Sequence, residues 1–219
     1  RWVTFLALTG AALIYGDGVI TPAISVLAAV EGLGVATDGL GSLVLPLTVG
    51  VLVGFFAIPR RGTGGIGRVF GPVMLVWFVV LAAVGRGGVL ATPVGRRARR
   101  PARAVGFVAV RGFHGFLALG SVVLCLTGAE ALYADLGHFG IGPIRRSWFF
   151  VAFPALLLNY AGQGAVLLAD PSVRNPFYAL VPGSLLYGAV ALATVAAVIA
   201  SQALITGIFS ITRQAAQLG

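Results

Sequence analysis

The sequence predicts an all-α protein that spans a membrane several times, as part of a polytopic helix bundle. Of its 219 residues, 58% are hydrophobic and 10% are charged, whereas a soluble domain carries about 25% charged residues. Six apolar runs approach the roughly 20 residues that a helix needs to cross a bilayer. Strands of a membrane barrel would instead alternate in polarity over about ten residues. These observations favour membrane helices and argue strongly against a soluble enzyme.

The six runs follow one another along the chain and are separated by short connections rich in glycine, proline and arginine. The first contains one charge, Asp17, and the fifth contains none. The third is short for a span unless it extends through Arg68. Arginines divide almost equally between alternate connections, so their positions do not select an orientation. The approximate bounds of the runs are 2–30, 39–59, 69–85, 112–135, 147–169 and 185–212.

The charge balance of the chain is strongly basic. Fifteen basic residues stand against six acids, which gives a formal net charge of +9. A nucleic-acid binder would place such charge on a soluble body, whereas many of these arginines fall in a connecting segment at 86–111. We therefore expect the lipid bilayer, and no nucleic acid, as a partner. Because the chain opens inside an apolar run and its single methionine is Met74, we expect it to be part of a longer protein.

Asp17 is the first candidate functional residue. An ionisable group at the centre of a span costs on the order of 3 kcal/mol and is a functional hypothesis by default. At about 100° per residue, Asp17, Thr21 and Ser25 lie on one stripe of a helix, and Pro22 removes a backbone donor beside it. The stripe therefore offers a carboxylate and two hydroxyls to a ligand. The alternative role of either hydroxyl is a hydrogen bond to the carbonyl four residues earlier.

A second acid, Glu130, lies in the fourth run. Thr127 and Tyr133 share its helix face at a spacing of three residues, and a carboxyl in that position can exchange a proton in step with an ion. The fifth run adds Asn159 and Gln163, which suit a contact between helices or the lining of a pathway equally well. No histidine or cysteine pair has the spacing of a zinc site, so we expect no transition metal.

Five segments, in this order, resemble the Kup-type potassium uptake permeases. They cover nearly the whole chain, and only the region 86–112 has no counterpart. The segments are GDGVITPAISV at 16–26, TGAEALYADLGHF at 127–139, LNYAGQGA at 158–165, NPFY at 175–178, and ASQA with SITRQA at 200–215.

The resemblance implies potassium transport across the plasma membrane, as low-affinity-type K+/H+ symport by a multi-pass protein. It also implies a fold similar to the amino-acid/polyamine transporters, built from two inverted five-helix repeats. In that fold 1–85 ends the first repeat, 86–112 is a basic connecting segment, and 113–219 begins the second. Arg1 would face the cytosol.

The resemblance also implies roles for individual residues. The potassium ligands would be Asp17, Thr21, Ser25 and Thr127, and proton coupling would use Asp17 and Glu130. The potassium ion and the proton are transported species, and no cofactor is expected.

The family's first two helices, including its glycine-aspartate and serine-proline-leucine-tyrosine signature, are absent. We therefore expect the ion-binding site to be incomplete on the side that these helices would form. We also expect these residues to need the missing N- and C-terminal parts for transport. A homodimer is left open.

The sequence is compatible with two other functions. An amino-acid permease of the same broad fold would carry its own signature in the absent first helix. An intramembrane diaspartyl protease would pair Asp17 with Asp135, but its glycine-x-glycine-aspartate pattern is missing, and Asp135 lies at the end of a run.

Overall fold

The structure, a computed structural model, describes residues 2–36, 38–57, 67–91, 101–125 and 140–217. This described part is helical, with no β-strand, which confirms the all-α prediction. The helices are α1 (Trp2–Val30), α2 (Gly32–Ala36), α3 (Gly41–Ala57), α4 (Gly67–Ala91), α5 (Pro101–Cys125), α6 (Ile141–Ser147), α7 (Phe153–Ala169), α8 (Pro176–Ala179) and α9 (Leu186–Gln217). Short 3-10 turns at Asp38–Leu40 and Gly183–Leu185 precede α3 and α9.

Four helical stretches are long and apolar enough to cross a membrane, as judged on the described residues. They are Tyr15–Val35, Val69–Ala91, Ile141–Ala169 and Gly183–Ile205. Of two shorter apolar helices, Gly41–Gly54 lies within the second predicted run, and Val105–Gly120 overlaps the beginning of the fourth. The protein is therefore a polytopic membrane bundle.

The helices α4 and α5 differ from the predicted runs. Helix α4 extends through Arg68 and continues past Arg86 to Ala91, and the Arg86 side chain is exposed. A long arginine side chain can lie along an apolar helix and place its charge in a polar region. Helix α5 begins at Pro101, a residue favoured at a helix start, and is kinked at Gly112, where φ is 51° and ψ is −123°. The division into repeats at 86–112 stays a prediction.

Helices α6 and α7 form one continuous stretch through a π-helical turn at Trp148–Ala152. The backbone N–H of Phe153 donates to the carbonyl of Trp148, five residues earlier. The next residue, Pro154, has no N–H and its ring crowds the carbonyl four residues back. The wider turn accommodates that proline without ending the helix.

The chain divides into two compact units. The first takes in the described residues of Arg1–Trp77, Tyr133–Gly140 and Pro182–Gly219, and the second those of Phe78–Leu132 and Ile141–Val181. In the first unit α1 packs along α9 and α3, and α2 also contacts α9. In the second unit α7 packs on α8 and is crossed by the C-terminal half of α4.

Candidate ion-binding site on the first helix

The packing of α1 separates its buried face from the predicted polar stripe. Gly18, Pro22 and Val26 are buried at a spacing of four residues, so they form one face of the helix. Asp17 and Thr21 each lie one residue before a member of that face and are half-buried. Because one residue corresponds to about 100° of rotation, the polar stripe borders the packed face.

Asp17 uses its two carboxylate oxygens differently. The hydroxyl of Thr21 donates a hydrogen bond to Asp17 Oδ1, with an oxygen–oxygen distance of 2.6 Å. Asp17 Oδ2 is buried and has no hydrogen-bond partner among the described residues. A buried polar atom without a partner requires an explanation. A carboxylate oxygen can be satisfied by a donor, a proton or a cation.

The hydrogen bond of Thr21 also decides between the two roles expected for this hydroxyl. In the common helical arrangement a threonine donates to the backbone carbonyl four residues earlier, as Thr194 does to Val190 at 2.8 Å. Thr21 donates instead to the side chain of the residue four positions earlier. Its hydroxyl proton is therefore directed to the acid, and the lone pairs of its oxygen remain available to a cation.

The backbone adds one more oxygen beside the acid. Pro22 lies inside α1 and has no N–H, so the carbonyl of Gly18 lacks its usual helical donor. That carbonyl belongs to the residue after Asp17.

Two contacts with α9 hold α1 on either side of Asp17. The hydroxyls of Tyr15 and Thr212 are hydrogen-bonded. The side chain of Ile208 lies so close to Gly18 that a Cβ built there would be 2.0 Å from Ile208 Cδ1. These contacts fix the rotation of α1 at the level of the acid. The glycine next to Asp17 thus permits close packing of α9 on α1.

The remaining predicted site residues fall into two groups. Ser25 is half-buried on α1, one residue before the fully buried Val26, and so continues the stripe of Asp17 and Thr21. Thr127 and Glu130 lie outside the described residues, and their roles stay predictions. The structure thus brings three of the five predicted site residues onto one helix stripe.

The polar cluster of the fifth predicted run joins helices to each other. Asn159 on α7 is buried, and its Nδ2 donates to the carbonyl of Leu81 on α4 at 3.4 Å. Gln163 Nε2 donates to Asn159 Oδ1. The two roles left open by the sequence were a pathway lining and a contact between helices. This geometry favours the contact between helices.

The crossing of α4 and α7 is built on glycines that sequence reasoning missed. A Cβ at Gly85 would lie 2.4 Å from the carbonyl oxygen of Leu158, and one at Gly162 would lie 2.6 Å from the carbonyl oxygen of Gly85. Backbones can approach this closely only where side chains are absent. In the sequence, the cluster Gly85, Gly87 and Gly88 indicates that a second helix could approach closely. Which of these glycines faces that helix depends on tertiary packing.

Comparison with known proteins identifies the family. Residues 1–219 match the family described as the K+ potassium transporter integral membrane domain. The chain belongs to this family. It is 62% identical, over 99% of its length, to the Syntrophobacter fumaroxidans protein named "Probable potassium transport system protein Kup 2". It is 62% identical over 98% of its length to "Probable potassium transport system protein Kup" of an Anaeromyxobacter species, and 57% identical over 100% to a protein of that name from Thiobacillus denitrificans.

The chain spans about a third of the length of these curated relatives, covering 34%, 32% and 35% of them. No solved structure matches it significantly. Membership in the potassium transporter family confirms the resemblance seen in the sequence, and the protein is a multi-pass membrane protein. The relatives are named as transport proteins and not as enzymes, so the family assignment gives no support to a protease.

Proposed function

We propose that the complete transporter containing this segment takes up potassium across the plasma membrane by low-affinity-type K+/H+ symport, and that Asp17 binds the ion. The observation that supports this most directly is the buried Asp17 Oδ2, which has no hydrogen-bond partner in the described part of the chain. It lies on a membrane helix of a potassium transporter family member.

Potassium binding at this stripe follows from the oxygens that border Asp17. An ion that leaves water needs protein oxygens in place of its hydration shell. Asp17 Oδ2 supplies a negative charge, and the hydroxyls of Thr21 and Ser25 supply neutral oxygens on the same stripe. The carbonyl of Gly18 adds another. We propose that Thr127, from a second helix, completes the set.

Proton coupling follows from the need to neutralise the carboxylate of Asp17 inside the membrane. A carboxylate without a counter-charge is costly inside a membrane, and either a monovalent cation or a proton neutralises it. We propose that Asp17 and Glu130 alternate between these two states during transport. The transported species are then the potassium ion and the proton, without a further cofactor.

Growth of a potassium-uptake-deficient host at limiting potassium tests the proposal with the complete transporter. We expect Asp17→Asn and Glu130→Gln to abolish or strongly reduce growth, because each removes a charge that the cycle requires. The matched control is Asp170→Asn, which removes an exposed acid after the end of α7 and is expected to leave growth unchanged. Normal growth of both Asp17→Asn and Glu130→Gln would reject the site. The segment 1–219 expressed alone is expected not to restore growth.

A further inference from the structure

The beginning of the membrane stretch Ile141–Ala169 concentrates positive charge. Arg145 and Arg146 are adjacent and exposed. They are the only charged residues in this stretch of 29 residues, and they form no ion pair with any residue that the structure describes. Two guanidinium groups that no described acid neutralises favour a negatively charged partner at the end of this membrane helix.

The length of the stretch places these arginines at the level of lipid phosphates. At roughly 1.5 Å per residue the helix is about 44 Å long, whereas the hydrocarbon core of a bilayer is about 30 Å thick. If the core ends at Ala169, the last residue of α7, about 20 residues bring its other edge to Phe150. Arg146 then lies about 6 Å beyond that edge, within the headgroup layer.

Aromatic side chains mark the same boundary. Trp148, Phe149, Phe150 and Phe153 are 42%, 56%, 81% and 45% exposed, and the rings of Trp148 and Phe153 lie 6.2 Å apart. Aromatic rings, tryptophan above all, are favoured at the interface between hydrocarbon and headgroups. A lipid bilayer offers such a surface both the apolar and the headgroup layer that these side chains favour.

We propose that Arg145 and Arg146, together with Trp148, bind the headgroup of an anionic phospholipid such as phosphatidylglycerol. Planar guanidinium groups can bind phosphate oxygens in a bidentate manner, while acyl chains lie along the exposed phenylalanines. A zwitterionic lipid offers the same phosphate but carries its own cation, so the excess positive charge selects the anionic lipid. Lipid binding at these arginines does not depend on which ion the protein transports.

Native mass spectrometry of the complete transporter, titrated with phosphatidylglycerol or phosphatidylcholine, tests the proposal. The wild type is expected to bind phosphatidylglycerol more tightly. Arg145→Gln with Arg146→Gln is expected to lower that affinity about 25-fold, since each arginine near an anionic surface contributes about fivefold. The corresponding double lysine variant keeps the charge and is expected to retain most of the preference. Arg174→Gln, which alters an arginine beyond the other end of α7, is the control and is expected to bind as wild type does.

Three results would overturn the proposal. The first is equal binding of the two lipids by the wild type. The second is an unchanged preference for phosphatidylglycerol in the double glutamine variant, which would assign the preference to other residues. The third is full displacement of the lipid by inorganic phosphate, which would indicate a soluble anion as the ligand. The measured quantity is bound lipid and not potassium uptake. A negative result in this experiment would therefore reject the lipid site without rejecting the proposed function.

Discussion

Replacing Gly85 by alanine should disrupt the crossing of α4 and α7. A Cβ at this position would lie 2.4 Å from Leu158 O and 2.5 Å from the N and Cα atoms of Asn159, where ordinary contact begins at 3.4 Å. All three atoms belong to the backbone of α7, so no side chain can rotate away. The two helices must therefore separate by about 1 Å, as the difference between 3.4 and 2.4 Å shows.

The expected cost follows from overpacking in well-packed interiors, which is typically about 1–3 kcal/mol. Alanine is also a better helix former than glycine, by about 1 kcal/mol. This gain in helix propensity would partly hide the cost of the clash if Gly85→Ala were compared with the wild type alone. Gly87 on the same helix is exposed, and a Cβ added there would have no neighbouring atom within 4 Å. Gly87→Ala therefore receives the same gain in helix propensity without the clash, and the difference between the two variants isolates the clash.

The measurement is the free energy of unfolding of the purified complete transporter, obtained from SDS titration followed by tryptophan fluorescence. Gly85→Ala should be less stable than Gly87→Ala by about 1–3 kcal/mol, which changes the folding equilibrium about 5- to 150-fold. Equal stability of the two variants would show that α4 and α7 do not cross at Gly85.

Three further predictions concern single side chains. Thr21→Val should raise the KM for potassium because it removes a proposed ligand and the donor to the acid, whereas Thr194→Val, which removes a hydroxyl bonded only to a backbone carbonyl, should leave KM unchanged in the same uptake assay. Asn159→Leu should lower the free energy of unfolding by about 0.6–1.7 kcal/mol, as for other hydrogen bonds between membrane helices; no loss in SDS titration would contradict that contact. The hydroxyl of Ser172, and then its backbone N–H, donate to Asp170 and hold its pKa below its ordinary value. This stabilisation of the turn is present at neutral pH and lost as the pH falls below about 4 through the depressed pKa. Hydrogen exchange at the Ser172 amide, measured relative to its intrinsic rate at each pH, should therefore show reduced protection in acid only.

Much of the fold could be predicted from the sequence because the membrane restricts the choices. Long apolar runs must become helices when no water can satisfy their backbone groups. Helix α1 therefore has the bounds of the run 2–30, and α7 lies within the run 147–169. The stripe of Asp17 and Thr21 was likewise predictable, since helical periodicity alone brings residues four apart together.

Other features depend on information that periodicity does not contain. The run 69–85 ends at the first charged residue, whereas α4 continues past Arg86, because a long side chain can carry its charge out of the apolar region. The π-helical turn before Pro154 depends on how the surrounding helix accommodates a missing N–H. The contact of Gly85 with α7 joins residues more than 70 positions apart, and local sequence does not determine such pairs.

Asp17 Oδ2, which has no hydrogen-bond partner among the described residues, is the proposed potassium ligand. Isothermal titration of the purified complete transporter with potassium chloride tests it directly, with Asp17→Asn compared with Asp170→Asn. We expect potassium binding to be lost in Asp17→Asn, which removes the charge inside the membrane, and unchanged in Asp170→Asn, which removes an exposed charge outside it. Potassium binding by Asp17→Asn with wild-type affinity would contradict the claim.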